Sequence, residues 1–320
     1  MQSSLDPAIA AVLPKLPDWN VPNQTPQGAR ELLIAMAQAR KDLPMPQPQS
    51  IEDRILDGGI PVRIYRGTTA PAPTIVFFHG GGFVAGDLDT HERQARWLAV
   101  DIGAVVISVH YRRPPEARFP AAFEDAFSVT RWASNNIAVL GGLSGALGVA
   151  GDSAGGNLAA AVAIACRDAG IELAAQLLVY PVTDCSGLFL DPQVNDSYPS
   201  RAQNREGYFL TLAVMQWFCK HYFAAASHGL DPRGSPMHCA DLTGVAPAVL
   251  CTAQYDPLRD EGIAYAARLR RAAVPVFEHV GTGLIHGYFG MVDSIAAAAD
   301  EARKCRADFA MLLRRGTSDH

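Results

Sequence analysis

The sequence predicts an α/β fold, with a mostly parallel central sheet and helices on both of its faces. The first observation is a series of short runs rich in β-branched residues, at 74–80, 104–111, 147–151, 174–182, 248–256 and 276–280. The second is that most of these runs are apolar nearly throughout, as strands buried on both faces must be. The third is that helix-length segments separate most of the runs, and such alternation favours parallel pairing.

The elements before this alternation are of a different kind. Residues 1–45 contain pieces of helical pattern, and 28–43 is the clearest amphipathic stretch among them. Three prolines within 43–50 predict a linker into the main fold. The alternation over 54–67 then predicts a β-hairpin, with an Asp-Gly-Gly turn at 57–59.

The segments between the predicted strands give the helices and one exception. Four of these segments have helical length and composition, at 90–103, 121–136, 155–170 and 262–274. Residues 183–245 also lie between two predicted strands, but they are too long for a single crossover. We therefore expect a helical cap built from residues 1–45 and from an insertion at 183–225. The α/β core is expected over 46–182 and 226–320.

The composition is that of a globular chain of 320 residues and excludes several classes of protein. Its 27 Lys and Arg are outnumbered by 32 Asp and Glu, and no basic run is present to bind a nucleic-acid backbone. No run reaches the roughly 18 apolar residues of a membrane span, and the N-terminus lacks the positive region of a secretory signal. The six cysteines form no CxxC pair and no zinc-ligand spacing. We expect reduced cysteines, a cytoplasmic location, and neither a metal nor a cofactor.

A tight turn at residues 151–155, Gly-Asp-Ser-Ala-Gly, lies between an apolar run and a helical segment. Gly-x-Ser-x-Gly in a strand–turn–helix context is the nucleophile-elbow pattern, which exposes the serine hydroxyl at the carboxyl edge of the sheet. Side chains two positions either way would collide with the adjacent strand and helix, so glycines are needed there. The alternative is that Ser153 only caps the helix. In an elbow, Ser153 is the nucleophile.

A nucleophilic hydroxyl needs a general base, and that base needs an acid to orient it. The order expected for an elbow-type fold is Ser, then Asp or Glu, then His, each in a loop after a strand. Asp256 directly follows a predicted strand, and His286 follows the last one in a glycine-flanked loop. Asp260 is a competing acid, and a turn before Pro257 is the structural alternative for Asp256. We favour Asp256 and His286 as the partners of the serine.

Three consecutive glycines occur in His-Gly-Gly-Gly-Phe at 79–83, directly after the first apolar run. Acyl transfer passes through a tetrahedral oxyanion, which preorganised backbone N–H groups stabilise. Glycines let such amides approach a substrate that side chains would block. We predict an oxyanion hole formed by the amides of Gly81, Gly82 and Ala154. The alternative, a phosphate cradle, lacks the residues of a P-loop or of a dinucleotide-binding fingerprint.

Taken in order, these motifs resemble those of the hormone-sensitive-lipase-like bacterial carboxylesterases, within the α/β-hydrolase fold. The matching segments are HGGGF at 79–83, YRRPPEARFPAAFED at 111–125, GDSAGG at 151–156, YDPLRDEG at 255–262 and IHGYF at 285–289. Family members usually read YRLAPE where this chain has YRRPPE, a departure that bears on loop packing rather than on the reaction. The resemblance implies Ser153 as nucleophile, His286 as base and Asp256 as its orienting acid.

The resemblance also implies a reaction and its substrates. It implies hydrolysis of short- to medium-chain acyl esters through an acyl-enzyme, with a small-molecule ester as substrate and a homodimer as a possible assembly. In the family the cap closes over the sheet and shapes an acyl pocket. The candidate pocket residues here are Phe83, Tyr208, Phe209, Leu210, Ile285 and Tyr288. For each of them, packing within the protein is the alternative to substrate contact.

Two other functions stay open at this point. An amidase or formamidase of related fold would use the same triad on amide substrates. A receptor-like protein of the family would bind a ligand without turning it over. Such receptors have lost the catalytic histidine, whereas this chain keeps His286.

Overall fold

The computed structural model describes residues 4–19, 21–69, 71–189 and 191–315, which build one eight-stranded sheet. The strands are β1 (Ser50–Ile55), β2 (Pro61–Arg66), β3 (Ala72–Phe78), β4 (Val105–Val109), β5 (Gly142–Asp152), β6 (Ala175–Val179), β7 (Ala248–Tyr255) and β8 (Val276–Ile285). Their order across the sheet is β1-β2-β4-β3-β5-β6-β7-β8. β2 pairs antiparallel with β1 and with β4, and all other pairs are parallel. The predicted fold class is confirmed.

Every predicted strand is present, and two are longer than predicted. The run at 147–151 is part of a strand that begins at Gly142, and the run at 276–280 continues to Ile285. The hairpin between β1 and β2 also has its predicted turn. The amide of Leu56 donates to the carbonyl of Ile60 at 2.9 Å, which closes the turn over 57–59.

Helices cover both faces of the sheet. In the described part of the chain the α-helices are α1 (Pro7–Val12), α2 (Pro26–Gln38), α3 (Glu92–Ile102), α4 (Ala121–Asn135), α5 (Ile137–Leu140), α6 (Ala154–Asp168), α7 (Ser186–Phe189), α8 (Pro199–Gln203), α9 (Leu212–Tyr222), α10 (Arg259–Arg271) and α11 (Ala296–Arg315). Residues of α4, α6 and α10 share one hydrophobic core, and residues of α3 and α11 share the core on the opposite face. The 20-residue helix α11 has no counterpart in the sequence analysis.

The proline-rich segment predicted as a linker is held in place by Arg93 of α3. The Arg93 guanidinium donates to the carbonyl of Leu43 at 2.6 Å and to that of Pro44 at 3.0 Å. It also binds the carboxylate of Asp293 at 2.9 Å. Both members of that ion pair are largely buried. The segment therefore connects α2 to β1 at a fixed position on the surface of the sheet.

A buried ion pair joins the insertion to the rest of the chain. Arg201 of α8 and Glu261 of α10 have fully buried side chains, and Nη2 lies 2.5 Å from Oε2. The other oxygen of Glu261 accepts the amides of Thr183 at 2.7 Å and Asp184 at 3.2 Å. The start of the insertion and α8 are thus tied to the same carboxylate. The cap boundaries at residues 45, 183 and 225 stay predictions.

None of the helices in the described residues is both long enough and apolar enough to cross a membrane.

Candidate active site

Ser153 lies at the sharp connection between β5 and α6, with φ of 56° and ψ of −117°. Residues other than glycine rarely hold a positive φ, and such strain persists only where the surroundings impose it. A Cβ at Gly155 would lie 1.9 Å from the carbonyl oxygen of Phe78, and one at Gly151 would lie 2.1 Å from that of Gly155. The two glycines are therefore required by close backbone approach, as the elbow pattern predicts.

Ser153, His286 and Asp256 form a continuous chain of hydrogen bonds. His286 Nε2 lies 3.0 Å from Ser153 Oγ, and its Nδ1 lies 2.7 Å from Asp256 Oδ2. An ionised carboxylate can only accept, so Nδ1 carries the ring proton and Nε2 is free to accept from the hydroxyl. Asp256 is fully buried directly after β7, and His286 follows β8 with 6% of its surface exposed. The structure brings together the three side chains that the sequence order indicated.

The competing acid, Asp260, has other partners. Its carboxylate accepts the amide of Ser200 at 2.7 Å and the Nε–H of Arg259 at 2.8 Å. Asp256 instead uses its second oxygen to accept the amide of Leu258 at 2.8 Å. That bond fixes the carboxylate, so its remaining oxygen faces the imidazole.

Gly81 and Gly82 line the same cavity as Ser153. Their φ angles are 114° and 60°, and a Cβ at Gly82 would lie 2.2 Å from the ring of Phe218. Ala154 is the first residue of α6, so its amide is one of the four at a helix start that have no partner within the helix. The predicted oxyanion-hole residues therefore lie beside the serine in sequence or line the same cavity.

An aspartate that the sequence analysis left without a role anchors this glycine loop. Asp152, next to Ser153, accepts the amide of Gly80 at 2.9 Å and lies 3.7 Å from Nε2 of His91. Tyr111 donates to the carbonyl of His79 at 2.7 Å from the other side of the loop. Burial lowers the pKa of His79 well below its usual range, which keeps its ring neutral. The only sequence feature that could have indicated this role of Asp152 is its position next to Ser153 inside the Gly-Asp-Ser-Ala-Gly turn.

The hydroxyl of Ser153 faces a cavity of about 1040 Å³, counted with its mouth. Its walls come mainly from the predicted cap segments and are mostly apolar: Trp19, Leu33, Met36, Val182, Leu188, Phe209, Leu210, Met215, Phe218 and Cys219. Arg40, Thr90, His91 and Gln94 form a more polar part of the wall. Trp19 and Phe218 contact each other edge to face, with ring centroids 5.4 Å apart. This pair links the N-terminal segment to α9 in the wall of the cavity.

Three of the six predicted pocket residues line the cavity, namely Phe83, Phe209 and Leu210. The other three, Tyr208, Ile285 and Tyr288, are not in its lining. The Tyr208 ring packs against Tyr255 at 4.9 Å, and Ile285 and Tyr288 are fully buried in the core beneath α11. Ile285 and Tyr288 were predicted from their proximity in sequence to the motifs, and Tyr208 as an aromatic residue of the cap insertion. Neighbours in sequence often direct their side chains to opposite sides of the backbone.

Comparison with known proteins places the chain in a family. A family profile described as the alpha/beta hydrolase fold matches residues 75–290, which is more than half of the chain. The chain belongs to the alpha/beta hydrolase fold family.

Individual relatives agree with this membership. The chain is 39% identical to esterase LipI of Mycobacterium tuberculosis over 283 residues, covering 84% of this chain and 85% of that protein. It is 38% identical to an ethyl acetate hydrolase of Pseudomonas putida over 266 residues, covering 80% of each. The structure of a hyperthermophilic esterase from the archaeon Pyrobaculum calidifontis is 35% identical and superposes with a TM-score of 0.86 over 97% of this chain and 99% of that one. The resemblance to hormone-sensitive-lipase-like carboxylesterases is confirmed.

Proposed function

We propose that this protein is a serine carboxylesterase that hydrolyses short- to medium-chain acyl esters. The observation that carries the proposal is the position of His286, 3.0 Å from Ser153 Oγ and 2.7 Å from Asp256 Oδ2. The names of the relatives describe ester hydrolysis, which supports the same reaction class here. A cytoplasmic location and a homodimer stay predictions of the sequence.

In the first half of the reaction Ser153 Oγ attacks the ester carbonyl carbon while His286 Nε2 takes its proton. The resulting imidazolium is stabilised by the buried carboxylate of Asp256. The negative charge on the former carbonyl oxygen is stabilised by hydrogen bonds that the amides of Gly81, Gly82 and Ala154 donate to it. The partial positive charge at the start of α6 adds to this stabilisation.

Collapse of the tetrahedral intermediate breaks the bond to the alcohol oxygen, and His286 donates its proton to that oxygen. The acyl group is then an ester of Ser153. In the second half a water gives one proton to His286 Nε2 and adds its hydroxide to the acyl carbon. The second tetrahedral intermediate expels Ser153 Oγ, which takes the proton back as the acid product leaves.

The cavity supports the proposed substrate size. Its apolar walls suit an acyl chain, because each buried methylene contributes about 0.8 kcal/mol. The contact between Trp19 and Phe218 limits the space between the N-terminal segment and α9. Both rings line the cavity, so we expect them to limit the length of the acyl chain that is accepted.

The test is hydrolysis of p-nitrophenyl acetate, butyrate, octanoate and laurate by the wild type and by Ser153→Ala. We expect the highest kcat/KM for acetate to octanoate and a loss of about 10⁴- to 10⁶-fold in Ser153→Ala. Ser144→Ala is the matched control, because Ser144 is an exposed serine at the start of β5; it should retain full activity. A wild type that turns over none of these esters would contradict the proposal.

The alternatives separate in the same experiment. Faster hydrolysis of p-nitroacetanilide than of p-nitrophenyl acetate would indicate the amidase. Binding of the esters without turnover would indicate a receptor-like protein, a function that the close contact between His286 and Ser153 makes unfavourable.

A further inference from the structure

A second group of reactive side chains lies where the edge strand β8 packs against α11. Glu301, Cys305 and Asp308 are spaced four and three residues apart, which puts them on one face of the helix. His279 of β8 meets that face. At about 3.3 Å per residue, His279 lies roughly 20 Å along the chain from His286, well away from the ester-binding cavity.

Three potential ligand atoms converge at this place. A ring nitrogen of His279, a carboxylate oxygen of Glu301 and the sulfur of Cys305 all lie within 4.8 Å of one another. His279 Nδ1 is 3.6 Å from Glu301 Oε1, which is too long for a hydrogen bond. In a tetrahedral zinc site, bond lengths of about 2.0–2.3 Å put neighbouring nitrogen, oxygen and sulfur ligand atoms about 3.3–3.6 Å apart. The ligand atoms would have to move closer by at most about 1.5 Å to hold an ion.

The rest of the cluster is arranged as the surroundings of a metal site require. His279 Nε2 lies 2.8 Å from Asp308 Oδ2, and because the carboxylate can only accept, Nε2 carries the ring proton. Glu301, ahead of Asp308, raises the pKa of His279 to about 9, so Nδ1 also carries a proton until a metal ion displaces it. Once that proton is lost, the lone pair of Nδ1 faces Glu301 and Cys305. A carboxylate on the far nitrogen fixes the ring and makes the near nitrogen a stronger ligand. Lys304 binds Glu301 Oε2 at 3.0 Å, so that Oε1 is the oxygen directed at His279.

We propose that His279, Glu301 and Cys305 bind a divalent transition metal, and that Zn²⁺ is the ion whose ligand preferences they fit. Thiolate sulfur, imidazole nitrogen and carboxylate oxygen are the donors that Zn²⁺ uses in proteins, and a water completes the tetrahedron. Cys305 and His279 Nδ1 each release a proton to solvent on binding. The thiolate and the carboxylate then balance the two charges of the ion.

The position of the site indicates a structural function. His279 and Glu301 keep 16% and 14% of their side-chain surface exposed, whereas Cys305 is fully buried. An ion would enter from solvent between the first two and meet the thiol at the inner end. Bound there, it ties the edge strand to α11 and takes no part in ester hydrolysis, so the inference is independent of the proposed function.

This site departs from the expectation of no metal. No spacing of ligand residues in the sequence predicts this metal site, because one ligand comes from a strand and two come from a helix. A Glu and a Cys four residues apart are ordinary neighbours on a helix. Only the packing of β8 on α11 brings the histidine to them.

The test uses the full-length protein stripped of metal with EDTA, and Co²⁺ as a spectroscopic substitute for Zn²⁺. A tetrahedral Co²⁺–thiolate site gives a sulfur-to-cobalt charge-transfer band in the near ultraviolet and intense bands in the visible. We expect one equivalent of Co²⁺ to produce both sets of bands. Zn²⁺ at about 100 times its Kd should raise Tm by about 4 °C. A folded wild type without the charge-transfer band would overturn the proposal, and His279 would then be a cation between two carboxylates.

Variants decide whether the signal comes from this cluster. Cys305→Ser and His279→Gln should each lose the charge-transfer band and the metal-induced rise in Tm, with ester hydrolysis unchanged. Cys166→Ser is the matched control, because Cys166 is also fully buried but lies on α6, on the other face of the sheet; it should keep both signals. A band that survives in Cys305→Ser would put the metal on another cysteine and refute the assignment. If one of the two variants does not fold, the other decides the assignment.

Discussion

Replacement of Arg201 by methionine tests how the buried ion pair holds the insertion to the core. In the wild type, Arg201 and Glu261 are fully buried and in direct contact. Arg201→Met removes the guanidinium and keeps an apolar stem of similar length. Glu261 still accepts the amide of Thr183, but its charge is left in the interior without a counterion.

The size of the effect follows from that burial. Removal of one partner of a buried ion pair costs about 3–5 kcal/mol, because the remaining charge is uncompensated. Unfolding entropies of about 2.1 cal/mol/K per residue give roughly 0.67 kcal/mol/K for a chain of this length. We therefore expect Tm to fall by about 4–7 °C in Arg201→Met.

The loss of stability should also depend on pH. Burial raises the pKa of Glu261, and the charge of Arg201 opposes that effect. Without Arg201 the pKa of Glu261 in the folded protein rises further above its value in the unfolded chain. Protonated Glu261 then stabilises the folded protein at low pH, and this stabilisation is lost as the pH rises. The decrease in Tm should be larger near pH 8 than near pH 5.

Thermal unfolding followed by far-ultraviolet circular dichroism measures these changes. Arg201→Met/Glu261→Gln removes both charges while keeping an acceptor for the buried amides, so it should recover most of the lost Tm. Arg303→Met is the matched control, because the pair of Arg303 with Asp300 is exposed. A Tm within about 1 °C of wild type in Arg201→Met, or a double variant no better than the single one, would refute the reasoning.

Three further predictions concern the loop, the cavity and the insertion. Asp152→Ala removes the acceptor of the Gly80 amide, so kcat for p-nitrophenyl butyrate should fall about 10- to 100-fold with KM little changed, and Asp152→Asn should restore part of it. Trp19→Ala opens the cavity wall, so the ratio of kcat/KM for p-nitrophenyl laurate to that for p-nitrophenyl butyrate should rise about tenfold or more. An unchanged ratio would show that Trp19 does not contact the acyl chain. Burial raises the pKa of Asp184, but several hydrogen bonds, the first of them from His238, outweigh burial and lower that pKa overall. The ionised Asp184 carboxylate therefore stabilises the folded protein above about pH 4, and this stabilisation is lost as the pH falls. Urea midpoints should therefore show wild type and Asp184→Asn converging below that pH, and a constant difference down to about pH 3 would contradict this assignment.

The sequence alone predicted the buried strands, which share one apolar pattern, and the catalytic triad, whose residues follow a fixed order along the chain. Buried strands are apolar on both faces, so their number and positions could be read before the structure. The order of Ser153, Asp256 and His286 at successive strand ends was enough to select the triad, because parallel strands bring their carboxyl ends to one edge. The structure added the bond from Asp256 to Leu258, which fixes the acid.

The remaining features depend on contacts between distant parts of the chain. Arg201 and Glu261 are 60 positions apart, and neither has a local pattern that indicates the other. Tyr208 and Phe209 are adjacent, yet Phe209 lines the cavity and Tyr208 packs on Tyr255, because successive side chains point different ways. Such directions are set by tertiary packing, which local sequence does not encode.

The backbone conformation of Ser153 has an evolutionary consequence. A side chain held at positive φ costs about 1–3 kcal/mol, and glycine at the same place would avoid that cost. A descendant released from selection for hydrolysis would therefore gain stability by Ser153→Gly. Stability favours glycine at this position and catalysis requires serine, so neutral drift alone would not retain Ser153.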